Sequence, residues 1–126
     1  MNSAELSNTE SLKKPLQSRA LEAVKSCLEN KGYEIVGDTD RGLVAIEDGC
    51  IVFVSVLVRF KSKGQGFAED RSTRETREME ACEWLAGNLD IEPMPFRFDE
   101  VSLIVVNDGR AILRHHVNCF ENGEVA

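Results

Sequence analysis

The chain has 126 residues, 42% of them apolar and 29% charged, with three prolines and nine glycines. That suffices for one ordinary core and excludes fibrous, collagenous and disordered classes. A formal net charge of -7 excludes a protein that coats nucleic acid or anionic membrane through bulk electrostatics, leaving room only for a local basic site.

Residues 1–13 are polar and unpatterned and read as a tail, 14–120 as one domain, and 121–126 as a second short tail. From Pro15 onward, Leu16, Ala20, Leu21, Val24, Cys27 and Leu28 form the stripe of an amphipathic helix that stops at Gly32. "YEIVGD", "LVAIE" and residues 50–60 follow as three strands joined by the short turns "TDRG" and "DG", the pattern of an antiparallel meander. The basic, glycine-rich "KSKGQG" then leads into residues 67–88, helical in composition, whose second half offers Ala81, Cys82, Trp84 and Leu85 for burial. Beyond Pro93 and Pro95, "FRFDEVSLIVV" and "RAILRHH" read as two strands around an "NDG" turn. The expected fold class is α/β, an αβββαβ core with a mixed central sheet flanked by helices.

Cys27, Cys50, Cys82 and Cys119 are widely spaced, with no Cys-x-x-Cys pair. No cationic start followed by an apolar stretch precedes them, so the expectation is reduced thiols and a cytoplasmic location. The longest uncharged apolar run, residues 51–58, is too short for a membrane-spanning helix, and no membrane partner is expected.

The stretch "VFVSVLVRF" holds the most informative detail. Alternation along a strand puts Phe53, Ser55, Leu57 and Arg59 on one face, so a serine sits beside a leucine in a run that is otherwise apolar. In order and spacing, "CLENKGYEIV", "IVFVSVLVR", "RFDEVSLIVVNDG" and "HHVNCF" resemble the blocks of the YraN-like family of small bacterial proteins. That resemblance implies a restriction-endonuclease-like fold and descent from predicted nucleases of the PD-(D/E)-x-K type. In such proteins carboxylates on adjacent strands hold Mg²⁺, which polarises phosphate and lowers the pKa of bound water.

The same alignment implies that the site is degenerate. The family's Glu-x-Lys falls on Ser55 and Leu57, its metal-binding aspartate on Gly42, and its early-helix glutamate on Leu21. None of the four can ligate a divalent cation as a carboxylate would, so no catalytic residue and no cofactor are expected. A relocated site built from Asp40, Glu47 and Glu22 would restore an active Mg-dependent nuclease, and Mg²⁺ would then be its cofactor.

Elsewhere, Arg59, Lys61, Lys63, Arg74 and Arg77 are candidate contacts to a DNA or RNA backbone, with Arg71 on the same helical face. The plainer alternative is a solvated face whose arginines pair with Glu75 and Glu78. His115, His116 and Cys119 invite a zinc site, yet neighbours on a strand point opposite ways and a fourth ligand is not apparent. Asp99 has Arg97 or a nearby turn as its expected partner. The functional expectation is therefore a nuclease-fold binding module, nucleic-acid-associated or regulatory, that has lost metal-dependent catalysis. A second possibility is a protein-interaction or homodimerising domain using the old catalytic cleft through Phe53 and Leu57.

Overall fold

A computed structural model describes residues 18–61, 66–107 and 110–120. Helix α1 runs through residues 18–30 and buries Ala20, Val24 and Leu28, the predicted stripe. It ends in a Schellman motif: Gly32 adopts φ +96°, its N–H donates to Glu29 O, and the N–H of Tyr33 donates to Leu28 O.

Five strands follow as one sheet in the order β1-β2-β3-β4-β5: β1 Glu34–Asp38, β2 Gly42–Glu47, β3 Cys50–Phe60, β4 Phe96–Asn107 and β5 Arg110–His116. β1, β2 and β3 form the expected antiparallel meander. The β2–β3 turn has both Asp48 (φ 54°) and Gly49 (φ 72°) in the left-handed region that a tight hairpin of this kind requires. β4 lies parallel to β3, a pairing that needs a crossover, and helix α2 (Arg74–Ala86) supplies it. β5 closes the sheet antiparallel to β4. This is the mixed sheet of the expected αβββαβ order, with β5 as a further strand.

The helices cover opposite faces. α1 packs on Leu43, Ala45, Val52, Val54 and Val101, whereas α2 brings Ala81, Trp84 and Leu85 onto Val44, Ile51, Phe53 and Phe98. Being covered on both sides is why residues 51–55 are all buried and why the sequence there is almost unbroken in its apolarity. No described helix is long and apolar enough to cross a membrane.

One boundary differs from the sequence expectation. α2 starts at Arg74, not near Phe67, with Thr73 as N-cap accepting the Thr76 N–H at 3.1 Å. Residues 67–73 have helical composition, but the carboxylate of Asp70 takes the N–H (2.8 Å) and hydroxyl (2.6 Å) of Ser72, a local turn that competes with the helix. The start of α1 near Pro15, the tails at 1–13 and 121–126, and the tip of the NDG turn lie outside the described residues.

Candidate functional site

Ser55 is completely buried on the α2 face of β3, directly across from Gly42 in the β2–β3 ladder. The sheet thus brings together the two positions at which the family resemblance expects metal-binding carboxylates. Gly42 cannot be replaced by an aspartate in this backbone, because a Cβ there would collide with Val54 O and crowd Val56 N. Leu57 lies on the same face one pleat along, half-buried. Leu21 is likewise packed against the apolar core from α1. These four positions offer no carboxylate to a Mg²⁺ ion and do not fit one.

A charge cluster stands over this face instead, anchored by a residue that no sequence pattern singled out. Asp70 reaches from the loop before α2 and accepts the Ser55 hydroxyl at 2.6 Å. It also accepts Arg41 Nη1 at 2.9 Å, and Arg77 Nη1 lies 3.5 Å away. Arg41, from the β1–β2 turn, turns its other edge to Glu80 of α2 in a two-pronged pair, Nε to Oε1 and Nη2 to Oε2, both at 2.7 Å. Burial alone would raise the Asp70 pKa, but hydrogen bonds from Ser55, Ser72 and Arg41 outweigh it and hold the carboxyl well below the usual range. The bonds that Arg41 donates to Glu80, against the opposing effect of burial, push the Arg41 pKa up, and the same pairing lowers that of Glu80.

Arg77 is the largest departure from the sequence reading of the basic segment. Proposed as a phosphate contact, it is 3% exposed. Its guanidinium donates to Phe53 O at 3.3 Å and lies 5.1 Å from the centroid of Phe98 and 5.7 Å from that of Phe120. It is a core arginine, unable to meet a ligand. Phe53 is also core, edge-on to Trp84, so its ring is not exposed as a contact surface. Among the described residues no buried side-chain nitrogen or oxygen lacks a hydrogen-bond partner.

The relocated carboxylates are not brought together. Asp40 is exposed in the β1–β2 turn. Glu47 ends β2 at the opposite end and pairs with Arg97 at 3.0 Å. Glu22 points outward from α1 beside Lys25. Asp38, Asp40, Glu80 and Glu83, with Arg41 and Trp84, line a cleft of about 630 Å³, where four carboxylates against one arginine disfavour phosphate.

On the opposite face, Asp99 is wholly buried and gathers four donors: Tyr33 Oη (2.8 Å), Arg97 Nε (3.1 Å), His115 Nε2 (2.8 Å) and the Asn118 N–H (2.9 Å). Both partners expected of Asp99, Arg97 and a nearby turn, are present. Burial opposes ionisation, yet these bonds bring its pKa down to about 2. Tyr33 moves the other way, raised by burial and by the bond to Asp99. Lys31 Nζ donates to His115 Nδ1 at 3.0 Å, which assigns the ring proton to Nε2. His115 thus locks β5 to the sheet, and His116, one residue on, faces the other way and is exposed. With Cys119 packed beneath α2, the zinc arrangement does not form.

Of the basic candidates, Arg59 donates to Gly66 O at 2.9 Å and meets no carboxylate among the described residues. Lys61 and Arg71 are exposed with no ion-pair partner among the described residues. Arg74 pairs with Glu78 at 3.2 Å, as the plainer alternative expected. Lys63 lies outside the described residues. No protein-family model and no curated protein matches the chain, and what the site can do follows from its own chemistry.

Proposed function

We propose that this protein is a nuclease-fold binding module, similar to the YraN-like proteins, that has given up metal-dependent cleavage and associates with a nucleic-acid backbone. The observation that carries the loss of catalysis is the cation that stands at the old metal face: Arg41, held by Asp70 and Glu80 above Ser55. Two arginines already neutralise Asp70, so it has no charge left to offer a divalent ion. Support for the ligand comes from Arg59, Lys61 and Arg71, whose positive charge no carboxylate among the described residues offsets. In this reading the module works in the cytoplasm without a cofactor.

The test is one set of samples read twice. With Mg²⁺ or Mn²⁺ and labelled single-stranded, flapped and branched DNA, no cleavage is expected, while anisotropy reports binding that weakens steeply with salt. Replacing Arg59 and Lys61 by alanine together should weaken every sequence alike. Cleavage lost in Asp40→Ala or Asp70→Asn would overturn the reading in favour of a working nuclease, and an unaltered affinity in the double variant would remove the proposed contacts.

A further inference from the structure

We infer that the nucleic acid bound is single-stranded, and that it lies in a trough across β3, β4 and β5 in which Arg110 and Ile112 of β5 take part. This rests on the nucleic-acid reading above and adds to it the ligand's strandedness and a second wall. The register defines the trough. Arg59 of β3 lies level with Ile104 of β4 and Ile112 of β5, all on the α2 face. One row below come Leu57, Ser102 and Arg114. Above, the Lys61 N–H continues the ladder to Val105 O, and Arg110 begins β5. Neighbouring strands are spaced by just under 5 Å, so β3 and β5 form two basic rims about 10 Å apart with β4 as the floor.

The lower end is closed by the loop before α2: Ser102 donates to Ala68 O at 3.0 Å, and Arg114 lies 4.8 Å over the Phe67 ring while its other side approaches Glu100 at 3.9 Å. Among the described residues the upper rows are less covered, with Arg59 reaching Gly66 O at 2.9 Å. Ile112 is 52% exposed, Ile104 is half-buried and Arg110 is exposed, with no ion pair among the described residues.

An apolar floor between basic rims discriminates between forms of nucleic acid. A duplex turns its bases inward and shows the protein a convex, charged exterior, which gains nothing from Ile104 and Ile112. A single strand can turn its bases onto that floor while its phosphates meet the rims. The two upper rows, about 7 Å apart along the strands, hold roughly two or three nucleotides. With the positive charges of Arg59, Lys61 and Arg110 in reach, the logarithm of affinity should fall against the logarithm of salt with a slope of about -2.

The experiment is fluorescence anisotropy of the full chain with a short oligothymidylate and a duplex of equal length, in parallel with Arg110→Ala and Ile112→Ala, their folds checked by circular dichroism. The expected result is preference for the single strand, weakened about threefold to tenfold by each variant, with Arg110→Ala also reducing the salt slope by about 0.7. Ile112→Ala should leave the slope unchanged. Equal affinity for the duplex, or indifference to both variants while the strand still binds, overturns the inference and leaves the binding module standing. No binding to either nucleic acid overturns both.

Discussion

At the scale of single residues, Asp70 and Gly42 carry the strongest consequences. Asp70 is the shared anion of Arg41 and Arg77, so Asp70→Asn leaves two guanidiniums half-compensated, one of them in the core. A loss of about 3 to 5 kcal/mol in urea-induced unfolding is expected, the usual cost of removing one member of a buried ion pair. Ser55→Ala, which removes only a hydrogen bond to that carboxylate, should cost about 1.5 to 3 kcal/mol in the same assay. Installing the Glu-x-Lys of the YraN-like proteins as Ser55→Glu with Leu57→Lys should not confer cleavage. The new carboxylate would face Asp70 across the 2.6 Å now spanned by a hydroxyl, and Gly42 would still supply no ligand. Metal-dependent cleavage by that double variant would show that the geometry around Gly42 is less restrictive than its contact with Val54 O implies.

At the scale of elements, the charge cluster is what joins the β1–β2 turn, the pre-helix loop and α2. Arg77 links α2 to the sheet through Phe53 O and the two phenylalanine rings, and to the loop through Asp70. Substituting Arg77→Met should therefore destabilise strongly alone. The double variant with Asp70→Asn should lose less than the sum, with a coupling of about 0.5 to 3 kcal/mol in a double-mutant cycle. Strict additivity would mean that loop and helix are held independently. At the helix start, Thr73→Ala removes the acceptor for the Thr76 N–H and should cost about 1 kcal/mol of thermal or chemical stability.

At the scale of the whole molecule, both sheet faces carry a buried, hydrogen-bonded carboxylate, Asp70 under α2 and Asp99 on the α1 side. Each has a folded-state pKa below its ordinary value, so each contributes stability that is present above about pH 4 and lost as the pH falls through the folded pKa. For Asp99 that window runs from 3.8 down to about 2. The free energy of unfolding, followed by the fluorescence of Trp84, should decline over this range. Asp99→Asn, less stable at neutral pH, should decline less steeply. An identical acid slope in the variant would show that Asp99 is not a source of the acid sensitivity.

Much of this architecture is legible in the amino-acid order, because periodicity and turn chemistry are local. The α1 stripe, the Asp48–Gly49 turn and the double-sided burial of β3 all follow from neighbours in sequence. The alternation that made Ser55 and Leu57 share a face is equally local. What composition misjudged were residues 67–73, where helical propensity lost to Asp70, and Arg77, which resembles any other arginine on a helix. Their environments depend on partners far along the chain: Arg41 lies 29 residues before Asp70, and Phe53 lies 24 before Arg77. Likewise, Arg110 and Arg114 belong to the basic face only because β4 runs parallel to β3 and folds back as β5. By itself, then, the sequence determined the elements and the side chains that could serve as ligands, since these depend on spacing along the chain. Only the tertiary structure decided which charges are consumed in the interior and which remain free, because burial and pairing are properties of contacts between strands and helices remote in sequence.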